Sequence, residues 1–439
     1  MAGCYAWEDQ VLKTGRSKRA PLILLAVLLA AGAMIWQHHS AAEQRVRVGI
    51  LHSLSGIMAP SEKPLVDALQ LAIAEANAAG GIKGRKIDAV VVDCRSDSAY
   101  CARQAERLIT EEHVQALFGC WTSDCRKAVK AVVETHHHLL FYALQYEGLE
   151  QSNEGLRQSP NILYGGAVPN QLIIPAVYWA LNNLGKATDR NKRDKRIYLA
   201  GSDYIYSRVV NILIKDLLAA HGAEVVGERY MPLGSILMDD LAADIVKQKP
   251  DLVLNTLSGT DNGLFFQALA RSGIVPDEPP VLSFSVTEVG LTAQDAETMA
   301  GHYAARNYYQ SISSPKNKAF VNRFRDRYGQ RAVIDGPMEA SYVNMQLWVN
   351  SALEAGSAEV AQVQRTLLRQ SLPAPEGVVA VDPLTHHVWK VARIGKARRD
   401  GQFDIVWDSG RPLEPAPFPP YRSREEWDHL LETVAGEKP

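Results

Sequence analysis

The sequence predicts an α/β protein built from two doubly wound parallel-sheet lobes. Three observations predict it. Short apolar runs alternate with stretches of helical periodicity, the pattern of strands buried between helices on both faces. The alternation pauses near residues 150–170 and then restarts as a second, similar series. Several apolar runs stop abruptly at small, hydroxylated or aromatic residues, as strands do at a ligand crevice. At 439 residues the chain also exceeds one compact core, so two domains are expected.

The elements follow in order. Residues 45–51 alternate and then turn apolar, a first strand. A polar loop, His52 to Ser61, precedes a helix from Pro64 with apolar residues at Leu65, Ala68, Leu69, Ala72, Ile73 and Ala76, ending at Gly80-Gly81. Ile87–Val92 is a second strand, Ser98–Glu111 a helix, Val114–Phe118 a third strand, Asp124–His136 a helix and Leu139–Tyr142 a fourth strand. After the polar pause, Asn170–Leu184 is helical and Arg196 begins the second series. Its elements are helix Tyr206–His221, extended Glu224–Tyr230, helix Asp239–Lys247, strand Asp251–Thr256, helix Gly263–Ser272 and strand Pro280–Ser285. A long helix spans Met338–Ala355. Val378–Asp382 and His387–Val391 read as a hairpin, and Pro415–Tyr421 as a Pro-rich extended tail.

Composition bounds the function. Hydrophobic residues make up 46% and charged residues 22%, with a net charge of −2. This is an ordinary globular balance that gives no sign of nucleic acid. Basic Lys13, Arg16, Lys18 and Arg19 precede an apolar run from Pro21 to Trp36, then Ser40-Ala-Ala42. That order fits a secretory signal with a small-residue cleavage site; the alternative is an uncleaved membrane anchor. Either way the rest of the chain is exported to the periplasm or another extracytoplasmic space. Export permits disulfides. Cys94 and Cys101 are the candidate pair, whereas Cys120 and Cys125 are equally well free, buried and inert.

The chemistry gathers at strand ends. Ser53 and Ser55 follow the first strand, and Cys120-Trp-Thr-Ser123 the third. Tyr142 to Tyr146 close the fourth. In the second half Gly201-Ser-Asp-Tyr-Ile-Tyr206, Leu257-Ser-Gly-Thr260 and Ser285-Val-Thr-Glu288 hold the matching places. These are flat rings and neutral hydrogen-bonding groups, suited to a small polar ligand in a cleft between lobes. Asp203 is an acceptor for ligand N–H groups or a helix N-cap, and Glu288 a further acceptor. Glu339 complements the dipole of its helix, and Arg126 and Lys127 point to solvent. His136-His-His138 is a solvated helix end, since three consecutive side chains cannot chelate together; His386-His387 is read the same way.

The chain resembles the type I periplasmic solute-binding proteins. Within them it is similar to the urea-binding proteins of ABC transporters and to the short-chain amide sensor of the aliphatic amidase operon. The resemblance spans about residues 45–430. It rests on Gly49-Ile-Leu-His-Ser-Leu-Ser-Gly56, Phe118-Gly-Cys-Trp-Thr-Ser123, Tyr146-Glu-Gly148, Pro169-Asn-Gln171, Gly201-Ser-Asp-Tyr-Ile-Tyr206, Tyr309-Gln-Ser-Ile312 with Pro315, Pro337-Met-Glu-Ala340, and the terminal Pro-Phe-Pro-Pro-Tyr with Glu426-Trp427. It implies a Leu/Ile/Val-binding-protein-like fold whose lobes close over the ligand by hinge bending. It places the pocket on Trp121, Thr122, Ser123, Tyr142, Gln145, Tyr204 and Tyr206; the reading of the residues adds Ser258 and Asp203. The amide sensor carries Pro-Thr-Pro after the equivalent of Tyr142. Ala143-Leu144-Gln145 is nearer the urea binders' pattern, although Ala143 departs from the proline usual in both.

The expected organisation is therefore a leader or anchor over 1–42. Lobe 1 comprises 43–165 with part of 290–400, and lobe 2 comprises 166–290 with part of 300–400. An extended tail covers 401–439. The expected function is capture of urea or a short-chain amide and delivery to an ABC permease in the membrane, with no cofactor or metal. The alternatives are a urea or amide sensor signalling to a regulatory partner and, more remotely, an amidohydrolase using Cys120 or Cys125 as nucleophile.

Overall fold

The structure is a computed structural model that describes residues 45–152, 155–156, 158–185, 195–291 and 293–436. The leader expected over 1–42 lies outside the described residues. Among those described, no helix is long and apolar enough to cross a membrane.

The first lobe is built on β1 (Val46–His52), α1 (Ala59–Ala78), β2 (Ile87–Asp93), α2 (Ser98–Thr110), β3 (Leu117–Gly119), α3 (Ser123–Thr135) and β4 (Leu140–Tyr142). The expected strands and helices stand within a few residues of their predicted bounds. Helix α1 begins five residues before Pro64, which lies inside it; Pro60 occupies its first turn, where no N–H is needed. The polar pause is not element-free. It holds a short pair, β5 (Gln151–Ser152) with β6 (Gly155–Leu156), and then β7 (Ile162–Tyr164). Strand β7 completes an all-parallel sheet in the order β2-β1-β3-β4-β7. Three residues are too few to show a period, so this strand has no signature in the sequence.

The second lobe runs α4 (Ile173–Asn183), β8 (Arg196–Ser202), α5 (Ile205–Ala220), β9 (Glu224–Met231), α6 (Met238–Gln248), β10 (Leu252–Thr256), α7 (Asp261–Arg271), β11 (Val281–Ser283), α8 (Ala293–Met299) and β12 (Tyr303–Arg306). The chain then returns to the first lobe as α9 (Pro315–Tyr328), α10 (Gly336–Ala355), α11 (Val360–Leu367), β13 (Ser371–Ala374) and β14 (Gly377–Ala380). Helix α10 packs along α1 and into the first-lobe core through Leu347 and Trp348. The last crossing delivers β15 (Arg393–Ala397) and β16 (Phe403–Asp408) antiparallel to the second sheet, whose order is β16-β15-β12-β11-β10-β8-β9.

Two expectations about the C-terminal region are corrected. The hairpin pairs β14 with the earlier β13, not with His387–Val391; only Val381 and Val388 form a bridge there. The extended tail expected over 401–439 is not found in its described part: residues 401–436 contain β16 and α12 (Arg424–Gly436). Trp427 and Leu431 of α12 pack on Val209 and Leu213 of α5, and Arg422 pairs with Asp216 at 2.6 Å.

Three chain crossings join the lobes, and two amides tie them together. Gln171 on the first donates through Nε2 to Val388 O and Leu413 O, each at 2.9 Å. Asn307 on the second donates to Gln171 O at 3.1 Å and Val391 O at 3.0 Å. Gly166 on the first crossing admits no side chain: a Cβ there would lie 1.9 Å from Leu144 O. The crossing thus passes directly against the loop that follows β4.

Candidate functional site

Each sheet has a switch in strand order, β1/β3 in the first and β8/β10 in the second. Ligand crevices open at the carboxyl ends of such strands. Trp121 leaves β3, Tyr204 leaves β8 and Ser258 follows β10; all three line one cleft between the lobes. The end of β4 adds Ala143, Leu144 and Gln145, and helix α5 adds Tyr206. Arg306, Asn307 and Tyr308 enter from the second crossing. Glu339 at the start of α10, Glu376 in the β13–β14 turn and Lys390 on the third crossing complete the wall. The space inside it is about 70 Å³, well below the roughly 300–1,000 Å³ of drug-sized ligand sites and on the scale of a small solute.

Gln145 sits at the junction. Arg306 donates from Nη1 to its Oε1 at 2.6 Å, while its Nε2 donates to Tyr206 Oη at 2.7 Å and to Phe284 O. Tyr204 Oη and Ser258 Oγ are hydrogen-bonded at 2.9 Å. The rings of Tyr204 and Tyr206 lie 6.0 Å apart and tilted by 30°. Burial raises both phenols above the usual tyrosine range, so they are neutral donors and acceptors. Arg306 also donates from Nε to Val286 O at 2.8 Å, and burial lowers its pKa from the ordinary arginine value.

Of the nine candidate residues, Trp121, Gln145, Tyr204, Tyr206 and Ser258 line the cleft, and Thr122, Ser123, Tyr142 and Asp203 stand outside its lining. Thr122 caps α3, accepting the Cys125 N–H at 3.2 Å. Ser123 donates to Glu147 Oε2 at 2.7 Å. Tyr142 stands behind the wall and donates to Trp121 O at 2.9 Å, fixing the loop that carries the indole. Asp203 pairs with Arg208 at 2.7 Å, and Tyr204 is the N-cap position of α5. Ser55 bonds Asp93 at 2.7 Å, and Ser53 Oγ accepts the Ser96 N–H, so both hydroxyls belong to the β1 loop. Glu288 accepts the Gln310 N–H, and burial pushes its carboxyl up to about 8.

Arg126 does not point to solvent. It is wholly buried under the wall, with Glu150 at 2.5 Å, Glu147 at 3.1 Å and the Tyr146 ring 4.3 Å from its guanidinium carbon. Burial opposes its charge, but Glu150 and Glu147 outweigh that and hold its pKa above the ordinary value. Position three of a helix looks exposed by sequence; the acidic Glu147 and Glu150 were the overlooked signal. The histidine runs are also corrected in part. His138 is buried with Nε2 against Val114 O at 2.8 Å, and His387 is buried in a stack with Tyr164 at 4.4 Å between ring centres.

Both cysteine pairs are disulfides, Cys94–Cys101 and Cys120–Cys125. The second bond corrects the free-thiol alternative and leaves neither sulfur as the nucleophile of an amidohydrolase. It ties the turn before Trp121 to the first turn of α3. Arg306, Glu376 and Lys390 carried no signal in the sequence, because nothing in a linear pattern brings two crossings and the β13–β14 turn together. Glu339 of the Pro-Met-Glu-Ala motif, expected from the sequence only to complement its helix dipole, lies in the cleft wall.

Comparison with known proteins agrees with this architecture. Residues 46–424 match the family model for the periplasmic binding protein domain. Leu/Ile/Val-binding protein homolog 7 of Brucella melitensis is 22% identical over 400 residues, 89% of this chain and 94% of that protein. Among solved structures, a solute-binding protein of an ABC transporter from R. palustris, in complex with 4-hydroxybenzoate, superposes with a TM-score of 0.72 at 20% identity, covering 86% of this chain and 100% of that one. The branched-chain amino acid transporter substrate-binding protein LivJ of Streptococcus pneumoniae, in complex with isoleucine, gives 0.65 at 19% identity, covering 84% and 100%. Limonene hydroxylase of Geobacillus stearothermophilus is 31% identical over 144 residues, and the match spans only 26% of that protein.

Proposed function

The chain belongs to the periplasmic binding protein family, and from that membership we propose that it captures a small, neutral, planar amide, urea or a short-chain aliphatic amide, and delivers it to an ABC permease from an extracytoplasmic position. The observation that carries the reading is the frame around the Gln145 carboxamide. Arg306 meets its oxygen, and Tyr206 with the Phe284 carbonyl takes its nitrogen. Those groups already satisfy one carboxamide, and the flanking rings of Trp121, Tyr204 and Tyr206 suit a flat solute. Urea has four N–H donors and one acceptor, and an unpaired buried polar group costs about 1–3 kcal/mol, so a cleft rich in both kinds of partner discriminates in its favour. Residues 1–42 act in this reading as the export signal or anchor.

A second reading, a carboxylic acid or amino acid as ligand, is favoured by the buried Arg306 in the wall and by the ligands of the similar structures. Calorimetric titration with urea, acetamide, formamide, isoleucine and 4-hydroxybenzoate separates the two. Heat with the amides and none with the acids is expected; the converse replaces the first reading by the second.

A further inference from the structure

The cleft wall contributed by α10, the β13–β14 turn and the third crossing has more hydrogen-bond acceptors than donors. Glu339 and Glu376 are 0% and 1% exposed. Glu339 Oε1 accepts the Glu376 N–H at 3.1 Å, and Glu376 Oε1 accepts from Lys390 Nζ at 2.5 Å. The other oxygen of each carboxyl, Oε2, is buried without a hydrogen-bond partner. Arg393 does not supply one: its Nη2 donates to Glu376 O at 2.7 Å and its Nη1 to Asn307 O. Two carboxyls and one ammonium therefore line the same space, each carboxyl with an oxygen to fill. An unfilled buried acceptor is costly, and a ligand N–H is the group that would fill it. A ligand carboxylate has no N–H to offer these oxygens and would set its charge beside Glu376, and beside Glu339 once that group ionises.

From this arrangement we propose that Glu339 and Glu376 form the nitrogen-reading wall of the cleft, selecting ligands with unsubstituted N–H groups over carboxylates and over fully N-alkylated amides. The inference rests on the amide reading above and adds which residues enforce it. It assigns the two ends of the ligand different partners: carboxyls for the nitrogen, and the Arg306, Tyr204 and Tyr206 side for the carbonyl.

A proton accompanies the recognition. Burial and the neighbouring Glu376 charge push the Glu339 carboxyl up to about 8. The other charged and titratable groups around it are Lys390 and Arg393, with Tyr308 facing it and Asp335 at the N-cap of α10. An N–H group docked on Glu339 favours its ionised form, so binding releases a proton and tightens as pH rises through 8.

The test titrates the full exported chain with urea, acetamide, acetate, tetramethylurea and N,N-dimethylacetamide, in two buffers of different ionisation enthalpy at pH 7.5. Expected for the wild type is at least tenfold weaker binding of the last three than of urea or acetamide, with net proton release. Glu339→Gln and Glu376→Gln are expected to lose tenfold or more for urea, and Glu339→Gln to abolish the proton release. A wild type that binds neither urea nor acetamide overturns the amide reading and this inference with it. A wild type that binds them but takes acetate or tetramethylurea equally well overturns this inference alone, whether or not either variant folds. So does Glu339→Gln binding urea within threefold of the wild type.

Discussion

Tyr206 and Tyr142 show how two tyrosines of similar appearance in the sequence take different work. Tyr206 lines the cleft and accepts from Gln145, whereas Tyr142 lies behind it and holds the Trp121 carbonyl. Tyr206→Phe removes a hydrogen-bond partner in the cleft and should weaken urea binding by about 1–3 kcal/mol, read by calorimetry with little change in melting. Tyr142→Phe should do the reverse, costing about 1 kcal/mol of stability while ligand affinity changes less. Equal effects of both on affinity would return Tyr142 to the ligand's immediate surroundings. Whether a ring after an apolar run faces the cleft or supports it depends on side-chain direction, which a short strand of three residues does not reveal.

The loop between β3 and α3 is held from beneath by charge. Arg126, Glu147 and Glu150 are buried together with Lys130, and the stacked rings of Tyr146, Tyr164 and His387 close the layer. Removing the cation leaves two carboxylates without their main partner in a dry site. Arg126→Met should therefore destabilise the protein by about 3–5 kcal/mol, seen as a lower urea-independent thermal midpoint. A midpoint unchanged within error would mean that the network adds nothing to the wall's stability. Elements of this kind divide sharply in legibility. Helices α1 to α3 and strands β1 and β2 are plain from their periods, whereas the caps at Thr122 and Asp97 come only from the structure. Strands β7, β12, β15 and β16 and helices α9, α11 and α12 were not read, because short or half-exposed segments give little period and their place is set by pairing with distant strands.

At the scale of the molecule, buried titratable groups set the pH response. Burial pushes Glu288 and Glu339 up to about 8, against 4.5 for a free glutamate. The folded state therefore binds more protons than the unfolded chain between those values, and stability falls as pH rises through 8. His302 is pulled down to about 4 and His387 to about 3 by burial, against 6.5 when free. They bind fewer protons when folded, and stability falls as pH drops below 6.5. The two effects oppose one another between 4.5 and 6.5. Of these four groups only the glutamates act above 6.5. Melting at pH 8.5 should thus lie below melting at pH 6.5 by a stability loss on the order of 4 kcal/mol, about 2 from each glutamate, and Glu288→Gln should reduce the difference. An equal or higher midpoint at pH 8.5 would contradict the assignment. Ligand acts on the same equilibrium: a saturating amide at one hundred times its Kd should add about 2.7 kcal/mol, measured as a raised midpoint.

The sequence by itself determined the two-lobe α/β architecture and the strand ends at which Trp121, Gln145, Tyr204, Tyr206 and Ser258 stand, because buried parallel strands and amphipathic helices carry their periods locally. Only the tertiary structure decided that Thr122, Ser123, Tyr142 and Asp203 support the wall, that Cys120 and Cys125 are joined, and that Arg306, Glu339, Glu376 and Lys390 share the cleft. The shared cleft depends on separate crossings and turns meeting in space, and the supporting roles depend on which way side chains point among near neighbours; neither is written in the local order of residues.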